Sequence, residues 1–262
     1  GALMMLGPYS INWFTFMRQW TVTCMLVVAV ALIRERKLWW YLLFVAISIL
    51  LHRSSVLLLL LYVLPVRKMS RWRWWVYPTL LAGCTLVGLY PVWMTWLRPI
   101  GDYLLMWGYE KYAYALTPVL NGEFRFVPWG LMHTLTFLTE FLAMCAYGYI
   151  RRHHSDDADL PYYMTFALIG VCVENLFNNT VFFLTRPLDF VAVFVLILIA
   201  YLCHDLWQRG RRVLLATACL ISMSYVYLNV AKACYFPTEN ADVILYHFVT
   251  DDEWFFLDQS QK

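Results

Sequence analysis

Charge is scarce in this chain of 262 residues: Asp, Glu, Lys and Arg make up 14% of it, against about a quarter in a soluble domain. With 62% of the residues apolar, too few polar side chains remain to cover a water-facing surface, and an ordinary soluble fold is excluded. The seven cysteines contain no C-x-x-C pair and stand mostly inside apolar runs. They read as small buried hydrophobes, so neither a disulfide framework nor a metal site is expected. Repeats of fixed period and low-complexity stretches are missing as well, which leaves no solenoid or linker organisation to consider. The net charge is only +3, and no nucleic-acid partner is expected.

Long apolar runs and aromatic rings are what the chain has in surplus. Residues 14–33 form a first run of about 20 residues, the length that crosses a ~30 Å hydrocarbon core. Arg34, Arg36 and Lys37 follow it directly. Residues 38–51 form a shorter run, interrupted by His52-Arg53-Ser54-Ser55, and residues 56–66 lead on to Arg67, Lys68, Arg71 and Arg73. One tilted helix over both short runs would place the two basic clusters on opposite sides of a membrane. A hairpin of two short helices places both on one side, with His52 at the tip. Short basic loops belong in the cytoplasm, so the hairpin is expected.

Further apolar runs at 74–96, 129–150, 161–184, 188–204 and 213–231 then alternate across the bilayer, leaving an outer loop at 97–128 and an outer tail at 232–262. All four strongly basic loops share the inner side. The expected fold class is all-α: a polytopic transmembrane helix bundle of about eight membrane segments, forming a single integral membrane domain over residues 1–262. The chain opens Gly-Ala-Leu and its first charged residue is Arg18, which suggests an N-terminally truncated member of a longer architecture.

The same topology sends the costly polar groups to the outer end, and a polar group held in lipid marks a functional site by default. Gathered there are Arg18 and Gln19, the HRSS tip, and Asp102, Tyr109, Glu110, Tyr112 and Tyr114 of the loop. Glu174, Asn175, Asn178 and Arg186 join them. Plainer roles stand beside these. Arg18 and Arg186 can snorkel to lipid phosphates; His52 can cap helix backbone, with Ser54 and Ser55 as the N-cap of the next helix. Asn175 and Asn178 read first as interhelical links, and Glu140 as a residue that faces the bundle and pairs there. The aromatic stretches LWWY, RWRWW and WLRPIGDYLLMWGY read as interface belts, with sugar stacking as the alternative for the last.

The opening NWFTFMRQW, an apolar helix, a basic turn, and then LLHRSSVLLLLLYVL resemble the EpsG family of bacterial polysaccharide polymerases, which is Wzy-like and GT-C-like. Asn12, Arg18-Gln19 and His52-x-Ser54-Ser55 carry the resemblance, with Glu110-Lys111-Tyr112-Ala113-Tyr114 and Arg186 as later support. Asn12 lies farther from Arg18 than the family's usual spacing. A related pattern occurs in membrane glycosyltransferases that use polyprenyl-phosphate sugars.

The resemblance implies a multi-pass protein of the bacterial inner membrane. It implies an enzyme that joins oligosaccharide repeats carried on undecaprenyl pyrophosphate into exopolysaccharide, capsule or O-antigen at the outer face. It needs no cofactor; its partners are the lipid-linked repeat, membrane lipid, and the chain-length regulator and flippase of the pathway. On that reading Arg18, Arg53 and Arg186 hold pyrophosphate, since the guanidinium fork matches phosphate oxygens. His52 is the general base, with Glu174 and Glu110 as carboxylate alternatives. Gln19, Asp102, Tyr109, Tyr112, Tyr114 and Asn178 line the sugar. The alternatives are a polyprenyl-phosphate-sugar glycosyltransferase and, from another class, a flippase or transporter; against the last stands the lack of repeated broken spans.

Overall fold

The chain between residues 17 and 34 contains neither proline nor glycine, and it forms a helix, α1 (Met17–Arg34). The computed structural model describes residues 17–90, 130–177 and 189–221, together with Trp93, Trp96, Pro99, Tyr103, Met106 and Met223. Helix α1 closes at Arg36, whose φ of 57° is the left-handed conformation that ends helices. The Lys37 N–H then returns to the Leu32 carbonyl at 3.0 Å.

Helix α2 (Leu38–Leu51) follows, then a 3-10 segment (Arg53–Leu58) and a short α3 (Leu59–Val63). Two hydrogen bonds decide between hairpin and single helix. The Tyr41 hydroxyl donates to the Leu58 carbonyl at 2.7 Å, and Arg36 Nη1 donates to the Tyr62 carbonyl at 2.8 Å. One continuous helix would hold residues 36 and 62 roughly 39 Å apart at 1.5 Å per residue. The chain therefore doubles back, and the hairpin is present. Its return arm differs from the expected helix over 56–66, being tightly wound 3-10 for its first turns.

Helix α4 (Val66–Met69), α5 (Val76–Leu89), α6 (Leu131–His153), α7 (Leu160–Phe177), α8 (Asp189–Ala192) and α9 (Phe194–Gln208) complete the elements, with a further apolar helix, α10, at Arg212–Ile221. No strand occurs among the described residues. Gly210, at φ 64°, closes α9 as a left-handed glycine, with the Arg211 N–H on the Leu206 carbonyl at 3.0 Å. The central helix is α7. It buries Tyr162, Met164, Phe166, Ala167, Leu168 and Val171 and packs against α5, α8 and α9.

Burial is inverted relative to a water-soluble bundle. Val28, Leu50, Trp39, Val63 and Leu86 are exposed, whereas Thr23, Ser48, Thr85, Thr139, Glu140 and Thr165 are buried. An apolar rim around a partly polar interior is the arrangement that lipid selects. By length and composition one described helix, Leu160–Phe177, suffices to cross a membrane, with a mean hydropathy of 1.3. Six shorter apolar helices accompany it, so the described residues do not add up to the eight expected segments. Two physical reasons contribute. Helix α2, at 14 residues, spans only about 21 Å, and α6 is long enough at 23 residues but carries Thr134, Thr136, Thr139 and Glu140 on its length.

The basic loops converge at one end of the bundle. Arg34 Nη1 reaches Asp159 Oδ1 at 2.8 Å, tying the end of α1 to the loop before α7. Arg151 Nη1 donates to the Ser70 carbonyl at 2.7 Å, and His154 Nε2 meets Asp205 Oδ1 at 2.7 Å. Lys37 bridges Glu35 at 2.7 Å, and hydrogen bonds from Lys37 and then Arg34 hold the Glu35 carboxyl below its usual range. Burial pushes Asp157 upward, but the Tyr201 hydroxyl and the Asp159 and Leu160 N–H groups outweigh it and leave Asp157 below its ordinary value. Both lowered carboxylates favour the folded state at neutral pH, and that contribution disappears as acid protonates them.

Cysteines placed at exposed Lys68 and Ser155 in a cysteine-free background should therefore behave alike toward an impermeant maleimide. Both should be protected in spheroplasts and both labelled in inverted vesicles. Opposite behaviour of the two would break the shared-side arrangement.

Candidate functional site

Helix α2 ends at the hairpin tip because the chain turns extended at His52, with φ −148° and ψ 115°. The His52 N–H still bonds the Ser48 carbonyl at 2.8 Å, and the Ser55 N–H bonds the His52 carbonyl at 3.0 Å. Ser54 Oγ lies 2.7 Å from His52 Nδ1. The N-cap reading for the serines is thus corrected: the following 3-10 segment has no side-chain cap, because the Ser54 hydroxyl is turned onto the imidazole. Ser55 is fully buried, and its hydroxyl has no hydrogen-bond partner among the described residues. Phe190 of α8 meets the His52 ring edge-on, with centroids 5.7 Å apart. Since α8 packs on both α1 and α7, His52 is held where these helices meet.

A second polar cluster lies between α5, α6 and α7. Asn175 Nδ2 donates to Glu140 Oε2 at 2.7 Å and to the Val171 carbonyl at 2.9 Å. Thr85 Oγ1 donates to the Asn175 side-chain oxygen at 3.2 Å and to the Leu81 carbonyl at 2.8 Å. Glu140 is 1% exposed, and its Oε1 has no hydrogen-bond partner among the described residues. Its carboxyl interacts electrostatically with that of Glu174. Cys84 and Cys172 share a hydrogen bond beside it. Among the described residues no three His, Cys, Asp or Glu side chains converge to hold a metal ion.

The asparagine works here as interhelical glue, and Glu140 faces the bundle and pairs, both as expected from sequence. Gly88 makes the geometry possible. A Cβ there would lie 2.0 Å from the Asn175 carbonyl oxygen and 2.8 Å from that of Leu176, so α5 and α7 touch backbone to backbone. Sequence reasoning missed Thr85 and Gly88. The available signal was their spacing with Tyr77 and Leu81, which puts all four on one helical face.

Of the residues expected at the site, the side chains of His52 and Glu174 are described. Arg18, Gln19 and Arg53 belong to described helical backbone, but their side chains lie outside the description. Asp102, Tyr109, Glu110, Tyr112, Tyr114, Asn178 and Arg186 fall outside the described residues altogether. What the structure brings together is therefore the His52–Ser54 pair against Phe190, and the Glu174–Glu140–Asn175 cluster. Both adjoin the helix ends remote from the basic loops. Chemically, the first can accept a proton through an oriented imidazole. The second sets two carboxyls close enough to influence each other electrostatically.

The family model for EpsG matches residues 2–248. The chain belongs to the EpsG family. No curated protein and no solved structure matches it. Membership in EpsG makes this a membrane protein of polysaccharide biosynthesis, which agrees with the inverted burial. The EpsG match also takes in the opening, the hairpin and the loop before α6, the stretches on which the resemblance first rested.

Proposed function

We propose that this EpsG protein is a polymerase that joins oligosaccharide repeats carried on undecaprenyl pyrophosphate at the outer face of the bacterial inner membrane. The observation that carries the proposal is the family match over residues 2–248; the paired His52 and Ser54 supply its chemistry. A hydroxyl of one lipid-linked repeat attacks the anomeric carbon of a second. The bond from that carbon to pyrophosphate oxygen breaks, and the hydroxyl proton passes to His52 Nε2. For this the Nδ1–H must point at Ser54 Oγ, so Ser54 sets the tautomer and the ring angle. The departing pyrophosphate carries negative charge to Arg18, Arg53 and Arg186, whose planar forks need no proton exchange to receive it. Gln19, Asp102, Tyr109, Tyr112, Tyr114 and Asn178 would contact sugar. Glu174 is the other base available to the reaction, through the carboxyl pair it forms with Glu140.

Membranes from a strain lacking the gene, supplied with lipid-linked repeat and purified protein, test the proposal by polymer length on a gel. Single repeats should convert to a ladder. Arg18→Lys and Arg186→Lys should shorten or abolish the ladder almost as severely as Arg→Ala, because an ammonium keeps the charge and loses the bidentate contact. A full ladder from both lysine proteins at normal abundance would leave these arginines as lipid anchors only.

A further inference from the structure

At the end of the bundle where the basic loops gather lies a cleft of about 210 Å³ lined by Trp72, Trp74, Tyr77, Tyr147, Gly148, Arg151 and Arg152. It opens near the start of α5 and the end of α6, away from Thr85 and Glu140 along the same helices. The walls are built and held. Tyr77 stacks on Trp72 with centroids 6.4 Å apart and meets Tyr147 edge-on at 5.2 Å. The Tyr77 hydroxyl donates to the Met69 carbonyl at 3.1 Å and to that of Trp72 at 3.3 Å, and the Tyr147 hydroxyl donates to the Ser70 carbonyl at 3.4 Å. Arg151 Nη1 adds a bond to the same Ser70 oxygen at 2.7 Å. A Cβ at position 148 would sit 2.7 Å from Trp74 Cβ, so glycine lets that indole lie flush against α6.

Charge at this end is unbalanced in one place. The described carboxylates nearby each have a partner on at least one oxygen: Glu35 has Arg34 and Lys37, Asp159 has Arg34, and Asp205 has His154. Asp157 accepts from Tyr201, and Asp156 from Ser155. Arg151 and Arg152 form no ion pair among the described residues, and Arg151 spends one of its five N–H donors on Ser70. Arg67, Lys68, Arg71 and Arg73 add positive charge from the adjoining loop. Two guanidinium groups without an acid, beside indole walls, form a seat for an anion. The volume falls below the roughly 300–1,000 Å³ of sites for drug-sized ligands, which suits one small headgroup and not an oligosaccharide. Trp72, Trp74 and Trp75 are exposed around the mouth, and Leu80 is exposed one turn along α5. That leaves an apolar path for acyl chains beside the polar seat.

We infer that this cleft binds the phosphate headgroup of an anionic phospholipid of the inner leaflet, with phosphate oxygens on Arg151 and Arg152 and the glycerol between Trp72 and Trp74. Native mass spectrometry of the full chain, purified and incubated with phosphatidylglycerol or phosphatidylcholine, tests this directly. Wild-type protein should retain phosphatidylglycerol in preference. Arg152→Gln, which removes a side chain with no ion pair among the described residues, should weaken that retention about fivefold, the effect of one cation near a lipid surface. Gly148→Leu, which pushes Trp74 off α6 and disturbs the cleft wall, should lower it further. Inorganic phosphate at millimolar concentration should not displace the lipid. Equal retention of the two lipids by wild type, displacement by free phosphate, or undiminished retention in Arg152→Gln each overturns the assignment. The wild-type lipid preference decides even where a variant folds poorly. Because no sugar polymer is read out, the result is independent of the polymerase proposal.

Discussion

His52→Gln should lower polymer formation by about 10²- to 10⁴-fold, the contribution a positioned general base makes. Glutamine is close in size and can still bond Ser54, so a loss of this order would come from the missing proton acceptor and not from a disturbed tip. Ser54→Ala should cost far less, roughly fivefold, because it removes one hydrogen bond worth about 1 kcal/mol and leaves the imidazole in place. A base must be unprotonated to act, so wild-type polymer formation should fall on acidification, and the residual activity of His52→Gln should not follow that profile. Glu174→Gln is the companion experiment. If His52→Gln polymerises normally while Glu174→Gln is dead, the proton goes to the carboxyl pair of Glu174 and Glu140. If both are impaired and the double variant is no worse than either, the two groups act as one titrating unit.

The second large effect is on folding. Gly88→Ala places a methyl group 2.0 Å from the Asn175 carbonyl oxygen, well inside van der Waals contact. Backbone cannot step aside as a side-chain tip can, so α5 and α7 must separate. Overpacking of this kind costs about 1–3 kcal/mol. Here the separation also stretches the 3.2 Å bond from Thr85 to the Asn175 side-chain oxygen, weakening the polar link between the two helices. Gly83→Ala is the control on the same helix, since nothing lies within 4 Å of its added Cβ and alanine is the better helix former by about 0.8–1.0 kcal/mol. Thermal transitions of the two proteins in detergent should split, with Gly88→Ala well below wild type and Gly83→Ala level with it or above. A Gly88→Ala protein as stable as wild type would mean that the α5–α7 contact yields without loss.

Composition and loop charge were enough to establish a membrane-embedded helical protein and to bring the basic loops to one end. Both follow from terms that act residue by residue: the cost of apolar surface in water and of cations away from it. The hairpin was legible for the same reason, since one helix would have carried Arg36 and Tyr62 far apart, and the bond between them records the alternative that charge favoured. The family could be read from Arg18-Gln19 and His52-x-Ser54-Ser55, because those motifs are contiguous in the chain. Their chemistry could not be completed there. That Ser54 turns onto the His52 ring instead of capping the next helix depends on the extended backbone at residue 52. The ring's seat depends on Phe190, 138 positions away (190 − 52).

Thr85 and Asn175 each stand as polar residues inside apolar runs, but their union required α5 and α7 to approach as closely as a glycine allows. No periodicity in either helix states that distance. The arginine cleft shows the same division. Arg151 and Arg152 look like any inner-side anchor along the chain. Only the folded arrangement, in which the described carboxylates at this end have other partners, leaves these two cations beside the tryptophans with no ion pair among the described residues.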